Sequence, residues 1–528
     1  MQSYRDSRTR METDLMQQSS LDVLSSFDRP FFSARVTPDG IVTEGTQHCF
    51  QGHRLPLGNR PVADGIFVEW QWDGQRLIVS NDRYGIYPLY YACHGNAIHI
   101  SPSIHHVLQG DFPKTLDTAA LAVFYRLGFF IGEDTPFEQI RILPPGSRLI
   151  WQQGRLDLKR GSIDTPAPAN DVRSFDEAVE QYAYLFEQAI ARRPPPENDF
   201  TLPISGGRDS RHILLALLKQ GYRPSNTLTV RMCPPSANED IRIARMLAAE
   251  LQLPHVEIGS PVSYFQANIK DIELTNFCGS GHTWLLPVAA YMRGRTSTLY
   301  DGLAGSVISG GFQVNDQKLT LFRDGKLTEL ATLLLREAGL GPFLASTMRP
   351  GFSAQLDESV AIEKLEAELA RHQHAGHPLV SFILWNRTRR CIGLIPFAML
   401  ADVSNVYCPY LDHDVLDFLI NLDASYSIGN ALHDETIRRA YPDHAHLPFE
   451  QEKARVPLGK DHSSYYRRAV REFAGYFARH PGRLGSRLIK SERVMLMLLR
   501  DMSKRQCDYS WYLRPALYTL ELEQVLNR

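Results

Sequence analysis

The sequence predicts an α/β protein in two parts. A β-rich N-terminal part precedes a doubly wound parallel sheet with helical additions. Three observations predict this. Between Pro30 and about Ile150, short runs alternate aromatic and polar positions and are separated by turn residues, the mark of strands with one buried face. From Phe200 to Ile258, apolar strand-like runs alternate with amphipathic helical segments over short connections, the mark of parallel βαβ units. From about Thr320 the pattern is mostly helical, and no internal repeat is visible.

In order, residues 1–28 read as a mobile tail. GIFVEWQW and RLIVSND flank Asp73-Gly74, a strong hairpin signal, and YPLYYAC and AIHIS flank His94-Gly95-Asn96, a second one. DTPAPAN (164–170) reads as a linker. Domains are therefore expected over 29–163 and 171–528. Ser174 and Glu177 form a capping box, and Phe175, Val179, Tyr182, Phe186 and Ile190 follow at helical spacing up to Pro194-Pro195-Pro196. FTLPI, NTLTVRM and PHVEI read as strands. A helix from about Ser210 to Gln220, closed by Gly221, and another opened by Glu239 and Asp240 lie between them.

Composition narrows the function. The 528 residues are 43% hydrophobic and 22% charged, which excludes disorder as a whole-chain reading. A net charge of −2 gives no global electrostatic case for nucleic acid or an anionic membrane. Seven scattered cysteines with no CxxC pair argue against a disulfide framework or a structural zinc site. The first 20 residues lack the apolar stretch of a signal peptide, and the longest apolar run, Cys391–Ala401, is too short to cross a bilayer. The expectation is a cytoplasmic protein.

The informative segment is Ser205-Gly206-Gly207-Arg208-Asp209-Ser210-Arg211, between a strand and a helix. Two adjacent glycines let the backbone approach a ligand closely. Their N–H groups and the following helix start suit an anion, and Ser205 and Ser210 add hydroxyls. Asp209 beside a phosphate calls for a bridging cation, so Mg²⁺ on a polyphosphate is the natural ligand. The GxxxxGK[ST] loop is absent.

This loop resembles the pyrophosphate loop of the N-type ATP pyrophosphatases, and within them the asparagine synthetase family. The resemblance extends to DRYGIYPLYY (82–91), the helix–strand unit EDIRIARMLAAELQLPHVEI, DGLAGSVISGGF (301–312) and PYLDHDVLDFLINL (409–422). It implies an N-terminal α+β Ntn-hydrolase-like sandwich of the glutamine amidotransferase type and a C-terminal adenine nucleotide α-hydrolase-like domain. It implies ATP and Mg²⁺, with a small-molecule or peptide carboxylate activated as acyl-AMP and joined to an amine or ammonia. ATP contacts fall on Ser205, Gly206, Gly207, Asp209, Ser210, Val230, Gly302 and Gly305, and metal contacts on Asp209 and Asp301. Lys453, with Arg455 behind it, matches the basic residue of a late family segment, so Lys453 and Asp209 are the expected catalytic residues. A homodimer is compatible with the resemblance.

The chain also departs from the family. The glutaminase nucleophile is a cysteine directly after the initiator Met; position 2 here is Gln2 and the first cysteine is Cys49. An internal cysteine lacks the α-amine that serves as base, so a glutaminase-like shell without glutaminase activity is expected. β-Lactam synthetases, carbapenam synthetases and lasso-peptide cyclases show a loss of this kind. The family's magnesium-binding Asp falls on Ser306 and the following Glu on Val307; Leu303 takes a position that carries Glu or Tyr in relatives. Asp301 either compensates or only caps its turn. Three rivals stand beside the ligase reading: asparagine formation from aspartate, a non-catalytic nucleotide-binding scaffold, and a tRNA-modifying adenylating enzyme, which the charge balance disfavours. His444-x-His446 and His105-His106 read as surface loops. His282 reads as a core histidine or a pocket residue, and the basic run 479–505 as a packed helix with a solvated face.

Overall fold

The structure is a computed structural model that describes residues 25–56, 63–163, 172, 174–196, 199–231, 239–279, 281–337, 341–450, 460–504, 507 and 512–527. The tail expected over 1–28 lies outside the described residues up to residue 24. The linker 164–170 also lies outside them, as do Lys453 and Arg455.

Residues 32–159 build two five-stranded antiparallel sheets. The first contains β1 (Phe32–Thr37), β2 (Gly40–Gly45), β6 (Tyr90–His94), β7 (Ala97–Ser101) and β8 (Ile140–Ile142), in the order β2-β1-β7-β6-β8. The second contains β3 (His48–Arg54), β4 (Gly65–Trp72), β5 (Arg76–Asn81), β9 (Arg148–Gln152) and β10 (Arg155–Lys159), in the order β10-β9-β5-β4-β3. Buried aromatic rings fill the space between them: Phe32 lies 5.6 Å from Trp72, and Trp72 lies 6.2 Å from Trp151. Both hairpins expected from the sequence are present. Asp73 Oδ1 accepts from the N–H of Gln75 and of Arg76, which holds the β4–β5 turn, and Gly95 takes a φ of 57° in the β6–β7 turn.

The C-terminal part carries an all-parallel sheet of β11 (Thr201–Pro203), β12 (Asn226–Val230), β13 (His255–Ile258), β14 (Thr298–Tyr300) and β15 (Asn405–Tyr407), in the order β13-β12-β11-β14-β15. The strand order reverses between β11 and β14, the signature of a doubly wound sheet, and ligands bind such sheets beyond the strand C-termini at that reversal. The helix Phe175–Ala191 starts where Ser174 Oγ accepts from Glu177 N at 3.2 Å, and it buries Val179, Tyr182, Phe186 and Ile190. The helices Asp209–Lys219 and Glu239–Glu250 bracket β12. The basic run departs from expectation. Its helix, Ser491–Ser503, buries Val494 and Leu498 but exposes Leu496 and Leu499, because positions 494 and 498 share one helical face and 496 and 499 another.

Buried arginines join the two parts. Arg389 donates to the carbonyls of Gly85, Gly132 and Leu143, and Arg390 to those of Ile131, Gly132 and Asp134. Both lie in a run of π-helical turns over Leu384–Ile392, followed by a second over Ile395–Met399. Arg193, 2% exposed, bridges Asp64 at 2.9 Å and Asp412 at 2.6 Å. No helix among the described residues is long and apolar enough to cross a membrane.

Candidate nucleotide site

A cavity of about 510 Å³ opens at the strand reversal. Its walls include Ile204 and Ser205 beyond β11, Val230 at the end of β12, and Asp301, Gly302 and Ala304 beyond β14. Asp209 and Ser210, at the start of the helix after the glycine loop, line it together with Asp301 and Ser306.

Asp209 is held tightly. Its Oδ2 accepts from Ser306 N at 2.9 Å, and its Oδ1 lies buried without a hydrogen-bond partner. A Cβ on Gly302 would sit 2.8 Å from Asp209 Cβ, and one on Gly305 would sit 2.5 Å from Asp209 Cγ. Glycine at these positions is therefore a packing requirement of the aspartate. Ala304, with a φ of 74°, turns the chain so that the Ser306 amide aims at that carboxylate. Behind Asp209, His433 Nδ1 lies 3.6 Å from Oδ1 and 2.9 Å from Ser309 Oγ, and Tyr410 OH contacts both His433 Nε2 and the Asp209 carbonyl. Burial holds His433 neutral, its pKa lowered to about 3. This support carries no local signal, because His433 is more than 200 residues from Asp209.

Asp301 caps its turn, its Oδ1 accepting from Leu303 N at 2.8 Å, and the residue also lines the cavity beside Asp209. Burial raises Asp209 to about 7 and Asp301 to about 6, and the Asp301 charge adds to the rise at Asp209. Two desolvated carboxylates on one cavity wall, one with an orphan oxygen, fit a hard divalent cation. Among the described residues no group of three or more His, Cys, Asp or Glu could hold a metal alone. Two carboxylates with the remaining positions left to phosphate and water is the pattern Mg²⁺ uses with nucleotides.

The glycine loop is less open than the sequence implies. Gly206 N donates to Asp240 Oδ1, Gly207 N donates to Ser205 Oγ at 3.1 Å, and Ser205 N donates to Ser210 Oγ at 3.0 Å. The protein's own oxygens thus sit on the donors that would meet a phosphate. The Gly206 carbonyl accepts from Glu450 N at 2.8 Å, and Arg211 donates to the carbonyls of Leu447 and Pro448. The chain that leads toward Lys453 is tied to this loop as far as Glu450. Arg208 pairs with Asp434 and is turned away from a ligand role.

His282 is buried, 3.5 Å from Cys391 Sγ, and also lines the cavity, so it sits in the core at the pocket wall. His444 and His446 both bond Glu250 at the surface. Cys49 lies half-buried on β3, where burial raises its thiol to about 11 and Gln51 Nε2 approaches it at 3.8 Å. It is a poor nucleophile.

Known proteins resemble this chain in sequence. The family model described as a glutamine amidotransferase domain matches residues 60–160, and the one described as asparagine synthase matches residues 181–523. The chain is 27% identical over 221 residues to the amidase chry2 of Gibberella zeae, covering 38% of this chain and 32% of that protein. It is 26% identical over 179 residues to asparagine synthetase [glutamine-hydrolyzing] 3 of Bacillus subtilis, covering 32% and 28%. The matched stretches thus span about a third of these relatives. A solved glutamine phosphoribosylpyrophosphate amidotransferase from B. subtilis, complexed with ADP and GMP, is 12% identical over 52% of this chain and 47% of that one; its TM-score of 0.13 carries no argument. With the asparagine synthase pattern running through more than half its length, and the matching loop at the reversal of its parallel sheet, the chain belongs to the asparagine synthase family.

Proposed function

We propose that the protein is an ATP-dependent amide-forming ligase that adenylates a carboxylate, releases pyrophosphate and joins the acyl group to an amine or ammonia, without hydrolysing glutamine. The observation that carries this reading is the cavity at the sheet reversal, where Ser205, Asp209 and Ser210 of the glycine loop and Asp301 beside them open into an apolar pocket. Ser205, Gly206, Gly207 and Ser210 bind the β,γ-phosphates once Asp240 gives way, and Val230, Gly302 and Gly305 shape the nucleotide wall. Asp209 and Asp301 would hold Mg²⁺, which would supply positive charge against the leaving pyrophosphate. The Ser306 amide orients Asp209 even though its side chain is no longer an acid, so the loss of the family carboxylate does not empty the metal wall. Lys453 supplies positive charge to the adenylate.

The nitrogen source follows from Cys49. A half-buried thiol pushed to about 11, with no α-amine beside it as base, supports ammonia or a substrate amine as the nitrogen source. A pyrophosphate-release screen across amino acids and peptides, with ammonium and glutamine compared as nitrogen donors, tests both halves. Substrate-dependent release in the wild type and its loss in Asp209→Ala support the ligase. Equal release by the two proteins refutes it, and turnover with glutamine alone refutes the missing glutaminase. The two-domain division at 29–163 and 171–528, the cytoplasmic location and a homodimer belong to the same reading.

A further inference from the structure

Away from the phosphate-binding end, the cavity changes character. Its walls there come from Trp284, Leu285 and Val288 on one side and Ile392, Ile395 and Leu400 on the other. The acids that line the cavity, Asp209, Asp240 and Asp301, all belong to the glycine-loop end. Arg387 also lines the cavity and packs against the segment that carries Asp301 and Ser306. It is half-buried, and its guanidinium lies 4.6 Å over the Phe312 ring. Among the described residues no carboxylate pairs with it, whereas its neighbours Arg389 and Arg390 spend their donors on backbone carbonyls. Burial presses on its charge and lowers its pKa. The π-helical turns explain its placement. The π-helical run carries Arg387 and Ile392 on the cavity wall and turns Arg389 and Arg390 toward the N-terminal part.

We propose that Arg387 is the counter-ion of the substrate carboxylate, and that this substrate is an apolar monocarboxylic acid without a free ammonium group. The inference rests on the ligase reading and names its acid. A desolvated guanidinium with empty donors is costly until a planar anion takes its fork. The apolar walls on both sides favour a hydrocarbon body behind that anion. A zwitterionic amino acid such as aspartate would place its ammonium among these walls, beside a guanidinium and with no acid among them to receive it.

The test is binding to the full chain without ATP, read by thermal shift and calorimetry. The probes are hexanoate, 3-phenylpropionate, aspartate and hexylammonium, against wild type, Arg387→Leu and Arg387→Lys. We expect both apolar acids to bind wild type, about tenfold more weakly to Arg387→Leu, with an intermediate loss in Arg387→Lys, which keeps charge but not the fork. Hexylammonium does not bind, and ATP affinity stays within about twofold in all three proteins. Failure of every acid to bind wild type overturns the inference, and so does aspartate binding as tightly as hexanoate. Unchanged acid binding in the variants also overturns it, as does an ATP affinity that falls with that of the acids, since Arg387 would then serve the phosphates. Should Arg387→Leu not fold, Arg387→Lys and Arg387→Gln carry the same comparison. A protein that binds hexanoate through Arg387 but never releases pyrophosphate sinks the ligase reading alone. Release with aspartate but with no apolar acid sinks this inference alone.

Discussion

Asp209 shows how one side chain dictates its neighbours. Gly302 and Gly305 are glycines because a Cβ there would strike the Asp209 side chain, its Cβ from Gly302 and its carboxyl group from Gly305. Gly305→Ala must therefore displace Asp209. We expect it to cost about 1–3 kcal/mol of stability by overpacking and to lower pyrophosphate release by an order of magnitude or more, with far-UV circular dichroism unchanged. Full activity in that variant would show that the position of Asp209 is immaterial. Asp240 makes the opposite case. Its carboxylate sits on the Gly206 amide, so it competes with any phosphate for that donor. Asp240→Asn removes the negative charge but keeps an oxygen acceptor. ATP should bind it several-fold more tightly, a gain of about 1 kcal/mol, and calorimetry that finds weaker binding would instead make Asp240 part of the nucleotide site. The loop itself was legible because two glycines and an acid between a strand and a helix have few other uses. Asp240 and His433 were not legible as its partners, since their contacts to it arise only when distant segments pack.

Among the elements, those with a local signature were readable and the rest were not. The β4–β5 hairpin carries alternation and an Asp-Gly turn, and the helix Phe175–Ala191 carries a cap and a 3.6-residue period. β14 and β15 are three residues each and lie at the centre and edge of a sheet covered by helices. They show no alternation, and only tertiary pairing makes them strands. The π-helical run is invisible for a related reason: its hydrogen-bond shift is imposed by the arginines it must deliver to the N-terminal carbonyls, not by its own period. Arg193 is the most consequential of these joints. Arg193→Met leaves Asp64 and Asp412 buried and short of their counter-ion, although Arg192 still holds the latter. We expect a loss of about 3–5 kcal/mol, measured by urea denaturation, with part recovered when Asp64→Asn is added. A single variant as stable as the wild type would mean that the bridge contributes little to joining the two parts.

Across the whole molecule, buried titratable groups set the response to acid. Burial holds His53 and His433 down to about 3 and His377 to about 4, and keeps His212 well below its usual value. These rings stay neutral in the folded protein while the unfolded chain takes up protons near pH 6.5, so each loses stability as pH falls. Three acids work in the other direction. Asp82 and Asp209 are raised to about 7 and Asp301 to about 6, so in the fold they keep protons that the unfolded chain releases above about pH 4. Each of the three therefore gains stability as pH falls through that window. Between about pH 4 and 6 the two sets nearly cancel. Below about pH 4 the unfolded chain's carboxyls are protonated too and the acids stop compensating. Asp412 then joins the histidines, because Arg193 and Arg192 hold it down to about 2 against the cost of its burial. In that range His377 and then His53 and His433 begin to take up protons in the fold as well, so the unfolded state binds roughly two to three more protons, and each tilts stability by about 1.4 kcal/mol per pH unit. Urea midpoints should thus change little from pH 6 to 4.5 and fall steeply below 4. A stability that declines evenly from pH 6.5 downward would show that the raised acids do not offset the buried histidines.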